Sequence, residues 1–93
     1  MYRFINVGFG NVVNRDKIVS IIRPDAAPIK RMIQSAKDTG TAIDATCGRK
    51  VRAVVVLENG SVVLSALLPD TIVARISQRD VAQKGDDNET VEL

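Results

Sequence analysis

Apolar residues in this chain come in short runs separated by glycine, proline and charged breaks. Residues 2–7 alternate, with Phe4 on one face and Ile5 and Val7 on the other, and predict a first strand. Gly8-Phe9-Gly10-Asn11 ends it. The G-x-G after a strand lacks a third glycine and a following helix, so these glycines read as turn residues and not as a dinucleotide loop. Lys17 to Arg23, K-I-V-S-I-I-R, is β-branched and predicts a second strand. Pro24 stops it, and Asp25 is a candidate N-cap for a helix in which Pro28 fits only the first turn. Ile29, Met32, Ile33 and Ala36 form one apolar stripe, Lys30, Gln34 and Lys37 lie opposite, and Gly40 closes the helix.

A third strand is expected over Thr41 to Thr46, a fourth over Val51 to Leu57 and a fifth over Ser61 to Leu67. Asn59-Gly60 between two apolar runs is a strong hairpin signal. Val51, Ala53, Val55 and Leu57 fall on one face of strand four, Val54 and Val56 on the other; Val62, Leu64 and Ala66 oppose Val63 and Leu67 on strand five. A sheet wet on one side alternates apolar with polar residues, so these strands are expected to be covered on both sides. Two helices suffice for one face, and the other is expected to pack on a second copy of the chain. The last helix begins at Leu68-Pro69-Asp70-Thr71, with Ile72, Val73 and Ile76 as its apolar stripe and Arg75 and Arg79 projecting together from another side. The fold class is therefore α+β: one small domain over residues 1–80, mainly an antiparallel sheet of about five strands with two helices. Residues 81–93 read as an acidic, disordered tail.

Composition removes many chemistries. The 93 residues include no histidine and one cysteine, Cys47, so a Ser-His-Asp triad, a Cys-His pair and a His/Cys zinc site all lack members. Asp44 has no carboxylate or histidine close by in sequence and is assigned a structural hydrogen bond or salt bridge; Cys47, without a base, reads as a small apolar residue before a nucleophile. No catalytic residue, metal, cofactor or small-molecule substrate is expected, and the chain does not read as an enzyme. One cysteine suits a reducing, cytoplasmic setting. No apolar run approaches the roughly 20 residues of a membrane span.

Charge sharpens the picture. The formal net charge is +2, but residues 1–79 carry twelve basic and six acidic side chains, while residues 80–93 carry Lys84 against five acids. A basic body favours anionic partners. Its densest cluster lies between strands three and four, where Arg49, Lys50 and Arg52 follow Gly48. Two readings fit this joint: a contact with an anionic polymer, or a solvated strand end. Single-stranded RNA is disfavoured because stacking needs aromatics, and the three present (Tyr2, Phe4, Phe9) lie within the first nine residues.

Four segments together resemble one family: F-I-N-V-G-F-G-N at 4–11, P-D-A-A-P-I-K-R-M-I at 24–33, I-D-A-T-C-G-R-K-V-R-A-V-V-V at 43–56, and S-A-L-L-P-D-T-I-V-A-R at 65–75. They are similar to the RemA family of bacterial extracellular matrix regulators. The resemblance implies a transcriptional regulator of biofilm matrix genes that binds double-stranded DNA. It also implies a nucleoid-associated, ring-like homo-oligomer that presents many basic loops. It assigns DNA contact to Arg49 and Lys50, with Arg52 beside them, and makes Lys17 a further candidate. Lys50 departs from the family's paired arginines; it keeps the charge but not the bidentate fork. Cys47 stands where the family commonly has Tyr. The alternative is an adaptor oligomer whose basic loop binds an acidic protein.

Overall fold

The computed structural model describes residues 3–77. In chain order the elements are β1 (Phe4–Gly8), β2 (Asn11–Asn14), a 3-10 turn (Arg15–Lys17), β3 (Ile18–Ile22), α1 (Ala27–Thr39), β4 (Ala42–Asp44), β5 (Ala53–Leu57), β6 (Val62–Ser65) and α2 (Pro69–Ile76). The expected α+β class is observed, with six strands in place of about five. The additional strand is β2, N-V-V-N, which is too short and too polar at its ends to announce itself. It forms by folding back on β1 as an antiparallel hairpin, with Ile5 opposite Val13 and Asn6 opposite Val12.

The other strands make a four-stranded sheet in the order β3-β5-β6-β4. The Asn59-Gly60 turn joins β5 and β6 as expected, closed by the Leu57 amide donating to the Ser61 carbonyl at 2.9 Å. β3–β5 and β5–β6 are antiparallel, whereas β4 pairs parallel to β6. The parallel pair follows from the connection: α1 carries the chain across the sheet, so β4 runs in the direction of β3.

Both sheet faces are buried, but not by the means expected. Ala53, Val55 and Val63 pack with Ile5 and Val7 of β1 and Ile72 of α2. Val54, Val62 and Leu64 pack on the opposite face with Ala36, Ile29, Met32 and Ile33 of α1. The two helices thus lie on opposite faces, and the β1–β2 hairpin completes one layer. The chain closes both faces itself, so sheet burial gives no argument for a second copy. Val51 also changes sides: β5 begins at Ala53, so alternation does not extend back to Val51, which joins the α1 face.

Other local expectations are corrected. Asp25 does not cap α1. The N-cap is Ala26, without a side-chain bond, and Asp25 instead accepts from Arg23 at 2.9 Å. A capping side chain serves the second or third helical amide. Here the second residue, Pro28, has no amide hydrogen, and the Ile29 amide already donates to the Ala26 carbonyl at 3.0 Å. Gly40 does close α1, at φ 79°. Val73 is exposed, while Ile72 is buried. Arg75 does not project outward from α2: it is 6% exposed, and its guanidinium donates to the Asn6 carbonyl at 2.7 Å, tying α2 to β1. Arg79 and the expected acidic tail lie outside the described residues.

Candidate nucleic-acid interface

The basic joint is the connection between β4 and β5, residues 45–52. Its root is buried: Ala45 and Thr46 are among the most enclosed residues, and the Ala45 amide continues the ladder by donating to the Leu64 carbonyl at 2.9 Å. Asp44 fixes the exit from the strand. Its Oδ1 accepts from the Thr46 hydroxyl at 2.6 Å and the Thr46 amide at 2.9 Å. Those bonds, the hydroxyl's first, hold the Asp44 carboxyl below its ordinary pKa. Asp44 is therefore the hydrogen-bonded structural residue expected.

Thr46 to Arg49 form a tight turn, with the Arg49 amide donating to the Thr46 carbonyl at 3.0 Å. Its central residues both have positive φ, 55° at Cys47 and 84° at Gly48, as in the primed turns of hairpins. Glycine suits the second position, where a side chain would be strained. Cys47 bears that strain and is exposed, so it serves as a turn residue. The chain then runs out along β6, with the Arg52 amide donating to the Ser65 carbonyl at 2.8 Å.

Arg49, Lys50 and Arg52 are all exposed, and among the described residues no ion pair holds any of them. Arg49 is nevertheless fixed: its guanidinium carbon lies 4.7 Å from the centroid of the Phe9 ring, over its face. Phe9 is the tip of the β1–β2 hairpin. Lys50 and Arg52 line a cleft of about 400 Å³ with Arg23, Asp25 and Asp70. Lys30 of α1 flanks Lys50 in a neighbouring depression. Sequence reading placed Arg23 at a strand end and Lys30 on a helix face; only tertiary contact brings them to this site. In sequence Phe9 reads as part of a turn. Its sequence signal is an aromatic between two glycines, which places a half-buried ring on a tight turn.

Lys17 does not join them. The register of β3 on β5 sets Ile18 opposite Leu57 and Ile22 opposite Val54, so Lys17 lies at the far end of the sheet from Arg52. It pairs with Glu58 at 3.5 Å. At roughly 3.3 Å per residue, the length of β5 alone sets the backbones of the two residues more than about 13 Å apart.

Fold and site together define a small α+β domain that presents an exposed basic turn on a buried root. The chain belongs to the RemA-like family of regulatory proteins: the family model, described as extracellular matrix regulatory protein A-like, matches residues 4–76. Among its relatives, a Lachnoclostridium phytofermentans protein provisionally named as regulatory is 65% identical over 80 residues, covering 86% of this chain and 88% of that protein. The extracellular matrix regulatory protein A of Bacillus subtilis is 49% identical over 78 residues, covering 84% of this chain and 88% of its own. A regulatory role is therefore supported. No described helix is long and apolar enough to cross a membrane.

Proposed function

We propose that this protein is a transcriptional regulator that binds double-stranded DNA as a ring-like homo-oligomer, acting on extracellular matrix genes in the cytoplasm at the nucleoid. The observation that carries the reading is the exposed cluster Arg49, Lys50 and Arg52, held on a rigid turn with no described acid paired to it. Cations already satisfied by carboxylates gain little from phosphate, whereas this cluster releases counterions when it meets the duplex. Lys17, paired to Glu58, is a secondary contact.

Three cations are few for DNA, and repetition supplies the rest. Linked copies raise avidity by orders of magnitude without new contacts. The two open edges of the sheet, β3 and β4, favour such an assembly. Each carries an exposed apolar residue, Val19 on β3 and Ile43 on β4. Unlike surfaces on opposite sides of one subunit are the arrangement from which head-to-tail rings are built. A ring of this kind grips phosphates and selects bendable sequence more than it reads bases.

Fluorescence anisotropy of a labelled duplex, titrated with protein at several salt concentrations, tests the reading. Wild type is expected to bind tightly and salt-sensitively, and Arg49→Ala to weaken binding at unchanged mass by light scattering. Absence of wild-type binding at low salt sinks the DNA reading. An Arg49→Glu protein that falls apart into smaller species points instead to an adaptor in which the loop contacts protein.

A further inference from the structure

The Phe9 side chain belongs to neither core cluster and is only half-buried, yet the chain sets it in a left-handed backbone conformation, φ 53°, between two glycines that also have positive φ. A bulky residue with positive φ is an outlier, so core packing does not account for it. Its ring instead lies against the guanidinium of Arg49, 4.7 Å away, within the range of a cation–π contact.

The platform itself is rigid. Asn6 Oδ1 accepts from the Gly8 amide at 2.6 Å, and the Asn11 side-chain amide donates to the Gly8 carbonyl at 3.0 Å. The buried Ser65 hydroxyl donates to the Val7 carbonyl at 2.7 Å, anchoring the hairpin to β6. Arg52 is tied to the same Ser65 through its backbone. The hairpin tip and the basic turn therefore share one fixed frame.

We propose that Phe9 is a positioning residue for the DNA contact of Arg49, an inference that rests on the DNA-binding reading above. Stacking occupies the flat face of the guanidinium and leaves its N–H edge free. That edge forms the bidentate fork on phosphate. A stacked arginine enters the complex with its long side chain already ordered, so binding loses less conformational freedom. Lys50, with no such platform and no planar fork, acts as a mobile point charge beside it.

The test uses Phe9→Leu, which keeps an apolar side chain without a ring, and Phe9→Tyr, which restores the ring. Both are measured with wild type and Arg49→Ala for duplex affinity, melting temperature and the NMR shifts of the Arg49 δ-protons. Phe9→Leu is expected to weaken binding roughly two- to tenfold per engaged loop. Phe9→Tyr is expected to bind as wild type does, and Phe9→Leu to add nothing in an Arg49→Ala background. The δ-protons are expected to be shifted upfield by the ring in free wild type and in Phe9→Tyr, and not in Phe9→Leu. Wild-type affinity in Phe9→Leu, or an equal loss with Arg49 already removed, overturns the positioning role. Absence of the ring shift from wild type overturns it without reference to DNA. A wild type that keeps the ring shift but binds no duplex overturns the DNA reading, and this role with it.

Discussion

Cys47 occupies a backbone conformation that suits asparagine or glycine better. With φ at 55° and its side chain in solvent, it pays the left-handed penalty of about 1 kcal/mol or more without a packing return. The short polar side chain of asparagine tolerates this region and is favoured in primed turns followed by glycine. Cys47→Asn is therefore expected to stabilise the domain by about 0.5–1 kcal/mol. Thermal unfolding checks this as a raised Tm. A lower Tm would mean that the thiol makes a contact the turn depends on. Arg49, two residues on, illustrates the opposite case. Its value comes from what its side chain meets, Phe9 on its face and open space at its edge, and not from its backbone.

Among the elements, α2 has the least self-sufficient anchorage. It spans eight residues, too few to be stable alone in water. Ile72 and Ile76 supply its apolar contact, and two arginines tie it down through carbonyls. Arg75 donates to Asn6 of β1, and Arg15 donates to the Ile76 carbonyl at 3.1 Å, where a cation also favours the C-terminal dipole. Replacing Arg75 by methionine keeps much of the bulk and leaves the Asn6 carbonyl without its charged donor. A loss of about 2 kcal/mol is expected, read as a lower urea midpoint with little change in slope. An unchanged midpoint would show that burial of the aliphatic stem, not the charged bond, holds the helix. The same clamp positions the hairpin, so Arg75 supports the Phe9 platform at a distance from the basic turn.

For the whole molecule, the proposed function turns on how many basic turns would act on one duplex. One turn carries three cations, which on their own give a slope of log affinity against log salt of about −3. A ring that brings several turns to one duplex gives a steeper slope, and light scattering is expected to report a mass several times 10.1 kDa. A slope of about −3 or shallower with a mass of one chain would mean that each copy acts alone. Because both sheet faces are closed within the chain, assembly is expected to use the exposed Val19 and Ile43 edges. It then brings no change to the core.

Sequence alone determined most of the elements and the location of the charge. Binary pattern and turn chemistry are local, so the Asn59-Gly60 hairpin, the α1 stripe, the Gly40 stop and the two-sided burial of β5 and β6 were all legible. So was the cluster at 49–52, and the family with it. What covers each face was not legible, because alternation says that a residue is buried and not against what. Tertiary structure put α1 and α2 on opposite faces, turned Arg75 inward and recruited N-V-V-N as a strand through its partner. It also separated Lys17 from the cluster by the length of a strand. And it set Phe9 against Arg49, forty residues apart in the chain: a contact of that kind has no local signature, since it exists only once the hairpin and the turn are held on the same strand.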